Sequence, residues 1–167
     1  MDASQCLFCG IVAGKIPCKK VYEDEHAFAF LDISPRNPGH TLVIPKKHAE
    51  TLLDMNEKDA GKLFESVRKV AGMVKAATNS QGISIGQSNG QAAGQVVRHV
   101  HFHVIPRFMN EGPVGLEGIL PSKKIDDDSM DKIAHAIKSA HIPHTHKEPE
   151  KDAQKFSKKK EEIDFNF

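Results

Sequence analysis

The chain has 167 residues, 39% of them apolar, with 23 basic and 22 acidic side chains for a formal charge of +1 at pH 7. That length suits one domain with its own core, and the balanced charge excludes the electrostatic footprint of a nucleic-acid binder or of a protein held on an anionic membrane. No apolar run is long enough to span a membrane and the start MDASQCLFCG lacks the apolar core of a signal peptide, so the three cysteines are expected in a reducing cytoplasm, with the nucleus as a second compartment.

Cys6-Leu7-Phe8-Cys9 opens the chain with a spacing that suits half of a tetrahedral zinc site or a redox pair, or two small residues buried beside Leu7, Phe8 and Ile11. The redox form usually follows a strand, and only five residues precede Cys6. Residues 21–23 and 26–31 have strand character and meet at Asp24-Glu25, which predicts a hairpin. Residues 32–39, Asp-Ile-Ser-Pro-Arg-Asn-Pro-Gly, form a loop; Asp32 could accept from a ribose there, or serve the turn through its own backbone. Residues 40–45 are a short apolar strand ended by Pro45, and Lys46, Lys47 and His48 follow.

The spacing of Leu63, Phe64, Val67, Val70, Ala71 and Val74 predicts the main helix from Asn56, its cap, to about Thr78. Residues 83–86 read as a strand. Residues 89–95, Asn-Gly-Gln-Ala-Ala-Gly-Gln, form a small-residue loop whose backbone could approach a phosphate or could simply turn the chain. His99, His101 and His103 then alternate with Val100, Phe102 and Val104, which predicts a strand over 99–106 with three imidazoles on one face. Residues 109–124 lack a period, residues 128–140 read as a second helix with Met130, Ile133, Ala134 and Ile137 on one side, and residues 144–167 are a polar tail expected to be disordered. The division is 1–125 for the domain, 126–143 for the C-terminal helix and 144–167 for the tail.

Suppose the strands 40–45 and 99–106 pair antiparallel. The histidines then divide into two groups. His40, His101 and His103 gather beside the glycine-rich loop, while His48 and His99 can meet Cys6 and Cys9. The second group is a closed Cys2His2 set, suited to a structural zinc that pins the N-terminus to the sheet. The first group offers a neutral imidazole nucleophile, with an all-histidine zinc site as its competitor.

His99-Val100-His101-Phe102-His103-Val104-Ile105 meets the pattern His-φ-His-φ-His-φ-φ, where φ is apolar, and on it the chain resembles the histidine-triad superfamily of nucleotide hydrolases and transferases. Residues 6–11, 15–17, 21–24, 30–35 and 40–48 resemble its nucleotide-binding, purine nucleoside phosphoramidase branch. The resemblance implies an α+β fold: an antiparallel sheet of about five strands with one long helix, to which the C-terminal helix adds, in a homodimer. It implies that Asp32 binds ribose, that Leu7, Phe8, Ile11, Phe30 and Ile33 wall the base pocket, and that Asn89, Gly94 and Gln95 grip the phosphate. It implies His101 as nucleophile, with His40 and His103 as its phosphate and leaving-group partners, and Cys6, Cys9, His48 and His99 as the zinc set of some members. The ligand expected is a purine nucleotide such as AMP or GMP, and no catalytic metal is expected.

The implied chemistry is double displacement at the α-phosphorus through a nucleotidyl-histidine. The phosphoramidase branch has a hydroxyl residue two positions after Gly94, where this chain has Val96, which has no donor. The ending Ile105-Pro106-Arg107 is more like the diadenosine-polyphosphate-cleaving branch, and Arg107 could meet additional phosphates. Hydrolysis of a purine nucleoside phosphoramidate or related conjugate is the leading reading. A dinucleoside polyphosphate hydrolase and a non-catalytic nucleotide-binding regulator are the alternatives.

Overall fold

A computed structural model describes residues 5–111 and 123–140. The elements in chain order are α1 (Leu7–Val12), β1 (Lys20–Glu23), β2 (Ala27–Leu31), β3 (Thr41–Pro45), α2 (Glu57–Thr78), β4 (Gly82–Gly86), β5 (Phe102–Arg107) and α3 (Asp127–Ser139), with short 3-10 turns at Leu52–Asp54, Gln91–Ala93 and Met109–Glu111. The five strands form one antiparallel sheet in the order β1-β2-β3-β5-β4. This is the α+β architecture expected. The polar tail at 144–167 lies outside the described residues, as does most of the stretch 109–124.

The two sheet faces bury different things, because side chains alternate along each strand. On one face, Ala27, Ala29, Val43, Val100, Phe102 and Val104 pack against Leu63, Val67, Val70 and Val74 of α2. Those four helix positions recur every three or four residues, and burying each contributes about 1.5–3 kcal/mol. The other face carries Phe28, Phe30, Leu42 and Ile44, covered by Cys6, Phe8 and Ile11. Leu42 pairs with His103, so His103 lies on this second face.

Asn56 caps α2 by accepting from the Asp59 N–H at 2.8 Å, and the helix ends at Asn79 in the left-handed conformation, φ 51°. The Asp24 carboxylate ties the β1–β2 turn to α2, accepting from the N–H groups of His26 and Ala27, the Tyr22 hydroxyl and, at 2.7 Å, the Ser66 hydroxyl. Burial acts to raise its pKa, but these donors outweigh it and hold the carboxyl well below its ordinary range. Among the described residues no helix is long and apolar enough to cross a membrane.

Two expectations need correction. The strand predicted over 99–106 starts only at Phe102, so His103 alone of the three histidines lies in it. The backbone of 99–101 is held instead by the bonds His99 N–H to Val97 O and Val100 N–H to Ala49 O, both 2.8 Å. The sequence reading also missed α1: its six residues are too few to establish a period.

Candidate active site

Pairing of β3 with β5 in the register Thr41↔Val104, Leu42↔His103 and Val43↔Phe102 brings the residues just outside each strand together in two places. At the end where β3 begins, the His40 and His103 rings lie 2.9 Å apart, Nε2 to Nδ1. His40 Nδ1 accepts from the Arg36 N–H at 3.2 Å, so the His40 proton sits on Nε2 and is donated to His103 Nδ1. His103 therefore keeps its own proton on Nε2, the outer edge of its ring. The nearer oxygen of Asp32 lies 3.5 Å from His40 Nδ1, and its other oxygen accepts from the Ser34 N–H. Asp32, His40 and His103 thus form a row, with Asp32 and His103 at opposite nitrogens of His40, and one donor atom from each lies within 4.8 Å of the others.

His101 stands next in the row, its ring 5.1 Å from that of His103 and 5.4 Å edge-on from Phe8. His101 Nδ1 donates to the His99 carbonyl at 2.7 Å. That bond fixes the tautomer and leaves a lone pair on Nε2. Burial lowers the pKa of His40 and takes that of His103 down to about 4, the latter helped by the neighbouring His101 and His40 and opposed by Asp32. Both are neutral at pH 7.

At the opposite end of the β3–β5 pair a second cluster forms. Cys6 precedes α1 and Cys9 lies one turn on, so both thiols share a helix face. Their sulfurs meet His48, just after β3, and His99, just before β5. The distances are 3.4 Å for Cys6–His99, 3.3 Å for Cys9–His48, 3.5 Å for Cys9–His99 and 3.3 Å between the two Nδ1 atoms. A tetrahedral zinc bound to sulfur and imidazole nitrogen would set such edges at about 3.3–3.6 Å, so the donor set fits that ion. His99 Nε2 donates to the Pro45 carbonyl at 2.9 Å, which turns the bare Nδ1 inward, the second bond that a metal-binding histidine ordinarily makes. Burial, and a hydrogen bond with Cys6, push the Cys9 thiol up to about 11.

Phe8, Ile11 and Phe30 are buried against this face, while Leu7 and Ile33 are exposed, Ile33 to 96%. Asn89 and Gln95 lie in the loop expected to grip the phosphate, and their side chains bond within and beside that loop. Asn89 Oδ1 accepts from the Leu52 N–H, and its amide is paired with Gln87. Gln95 accepts from the Gly90 N–H at 2.7 Å and donates to the Glu50 and Val97 carbonyls. The N–H groups of Gly94 and Gln95 are also engaged, by the Gln91 and Gly90 carbonyls, and Gly94 has φ 85°, which a side chain would strain. Gly94, Gln95 and Val96 also border an open cleft of about 510 Å³ with Glu50, Thr51 and Arg98.

Arg107 is engaged as well. Its Nε donates to Glu111 at 2.8 Å, and the other Glu111 oxygen accepts from Asn37, which also donates to the Pro106 carbonyl. This latch fastens the 32–39 loop to the end of β5. Sequence reading missed it, along with the Arg36 N–H and the Pro45 carbonyl that set the two histidine tautomers. No side-chain pattern announces a backbone donor or acceptor.

A family model described as the HIT domain matches residues 13–110. The chain belongs to the HIT-domain family. An uncharacterized HIT-like protein of Methanocaldococcus jannaschii is 46% identical over 122 residues, which is 73% of this chain and 94% of that protein. A protein of Schizosaccharomyces pombe named adenosine 5'-monophosphoramidase is 37% identical over 134 residues, 80% of this chain and 96% of that one. Among solved structures, a HIT family member from Bacillus subtilis is 38% identical with a TM-score of 0.73, covering 82% of this chain and 98% of that one.

Proposed function

We propose that this HIT-domain protein hydrolyses purine nucleoside phosphoramidates, or related conjugates of a nucleotide such as AMP or GMP, through a nucleotidyl intermediate on His101. One observation carries the reading: the 2.7 Å bond from His101 Nδ1–H to the His99 carbonyl, which leaves Nε2 as a free lone pair. The similarity to a yeast phosphoramidase supports the substrate class.

In this reading Asp32 holds the ribose, and Leu7, Phe8, Ile11, Phe30 and Ile33 hold the base. His101 Nε2 attacks the α-phosphorus in line, and the bond to the leaving group breaks. The backbone N–H of Val96 and the Nε2–H of His103 hold the phosphoryl oxygens, the N–H groups of Gly94 and Gln95 being taken by the Gln91 and Gly90 carbonyls. A phosphate anion beside the His40–His103 pair favours one extra proton, which enters at His40 Nδ1 facing Asp32; His103 then gives its Nε2 proton to the leaving group as its Nδ1 takes the His40 Nε2 proton. Water cleaves the phosphorus–nitrogen bond, releasing the nucleoside monophosphate and restoring His101.

The donor set Cys6, Cys9, His48 and His99 is read as a structural zinc site, which would tie α1 to the sheet. The row of Asp32, His40 and His103 needs no metal. A homodimer is supported by the edge position of β4 among the described residues and by Phe64 and Met73, left exposed on α2. The engagement of Arg107 with Glu111 weighs against the dinucleoside polyphosphate alternative.

The test is steady-state turnover of adenosine phosphoramidate and of diadenosine polyphosphates by wild type and His101→Ala. The phosphoramidate should be preferred, and the variant should turn over neither. Activity that survives in the variant overturns the reading. Nucleotide binding without turnover of any conjugate would favour the regulator.

A further inference from the structure

We propose that the Cys6–Cys9–His48–His99 centre positions the nucleophile: loading it with a metal sets the orientation of the His101 ring, with His99 as the positioning residue between them. The inference rests on the proposed reading of His101.

The argument starts from the three bonds of His99. Its Nδ1 faces the two thiols and His48, its Nε2–H donates to Pro45, and its carbonyl is the acceptor that orients His101. Residue 99 thus belongs to the centre through its ring and to the active site through its backbone. The sheet does not fix it, because β5 begins three residues later; the peptide that carries the His99 carbonyl is held by the Val100 N–H donating to Ala49 O at 2.8 Å, and Ala49 follows His48, itself a member of the centre. A rotation at residue 99 moves ring and carbonyl together.

A second link runs through α1. Phe8 stands between Cys6 and Cys9 and packs edge-on against both His99, at 5.9 Å, and His101, at 5.4 Å. The helix that carries two donors of the centre therefore also supplies the wall of the His101 ring.

The centre turns one fixed acceptor, the His99 Nδ1, toward two thiols and the His48 ring. The His99 Nδ1 is bare, and the His48 Nδ1 lies 3.3 Å away from it. Only a cation or protons can hold such atoms at this distance. Removing the cation loosens the grip on the His99 ring and on α1 at once. The carbonyl then loses its fixed direction, and the His101 lone pair loses its aim.

The test uses the full chain labelled with 15N at histidine, zinc-loaded and after chelation, without substrate. Imidazole 15N–1H spectra report the His101 tautomer, assigned by its loss in His101→Asn. The loaded protein should give one tautomer with a slowly exchanging Nδ1–H. The stripped protein should remain folded by circular dichroism, give an averaged His101 signal, and form the covalent nucleotidyl adduct about tenfold more slowly or worse. Cys6→Ser should lose zinc and behave like the stripped protein, whereas Cys6→His, which keeps four donors, should retain the single tautomer.

An unchanged His101 signal in stripped, folded protein overturns the proposal. So does global unfolding on chelation, because the centre would then hold the whole fold rather than one ring. Full turnover by His101→Ala would instead defeat the reading of the nucleophile and leave the ring-orientation result standing.

Discussion

His40 donates its Nε2 proton to His103 Nδ1 at 2.9 Å, and that bond decides which edge of His103 faces the substrate site. With Nδ1 occupied as an acceptor, the only proton of neutral His103 is on Nε2. The Arg36 N–H enforces the arrangement by occupying the far side of the His40 ring. In the proposed mechanism His40 therefore acts through another ring.

His40→Ala should accordingly lower kcat by about 100-fold, the lower end of what a positioned proton donor contributes. Nucleotide affinity should change little, since Asp32 and the apolar wall remain. Calorimetric titration with AMP beside steady-state kinetics separates the two. A large loss of affinity with kcat preserved would make His40 a ligand contact instead.

The depressed pKa of His103 links stability to pH. Its folded value is about 4 against an ordinary 6.5, so between those values the unfolded chain binds the proton and the folded chain does not. Stability from this group is complete above about 6.5 and is lost as pH falls toward 4. Urea melts at pH 7.5 and 4.5 should show wild type losing more stability on acidification than His103→Gln. Equal losses would mean that burial does not hold His103 neutral.

Val96 is 90% exposed, so adding a hydroxyl there should leave the fold within about 0.5 kcal/mol. Val96→Ser supplies the donor that the phosphoramidase branch carries at this position. Turnover of conjugates with amine leaving groups should rise about tenfold, as expected for one added hydrogen bond of about 1.4 kcal/mol in the transition state. No gain would show that the leaving group does not pass this side chain.

The latch of Arg107, Glu111 and Asn37 makes a prediction about stability rather than specificity. Glu111→Ala removes one acceptor from Asn37 and one from Arg107 and should lower the midpoint of chemical denaturation. Arg107→Ala should leave the KM for diadenosine polyphosphates unchanged. A selective rise in that KM would return Arg107 to the role of a phosphate contact.

Much of this site was legible because strands and long helices write their period into the sequence. The α2 stripe at Leu63, Val67, Val70 and Val74, and the apolar run of β3, gave the sheet and its cover. The assumed pairing of β3 with the histidine segment was enough to divide the histidines into the two groups that the structure brings together. The reading was silent where side-chain type does not specify direction. The amides of Asn89 and Gln95 satisfy the backbone N–H groups of Leu52 and Gly90, which costs less than leaving those groups unpaired. His99 and His101 alternate as a strand would, although their backbone lies beyond the ladder. In α1, apolar residues at 7, 8 and 11 suit two turns of helix as well as a loop.

The central claim is a covalent bond between His101 and the nucleotide's α-phosphorus. Rapid acid quench of wild type with an adenosine phosphoramidate, followed by mass spectrometry of the digested protein, reads it directly. The account predicts an adenylyl group on the peptide containing His101, formed within one turnover and absent from His101→Ala. An active enzyme that never carries that group, or carries it on another residue, would contradict it.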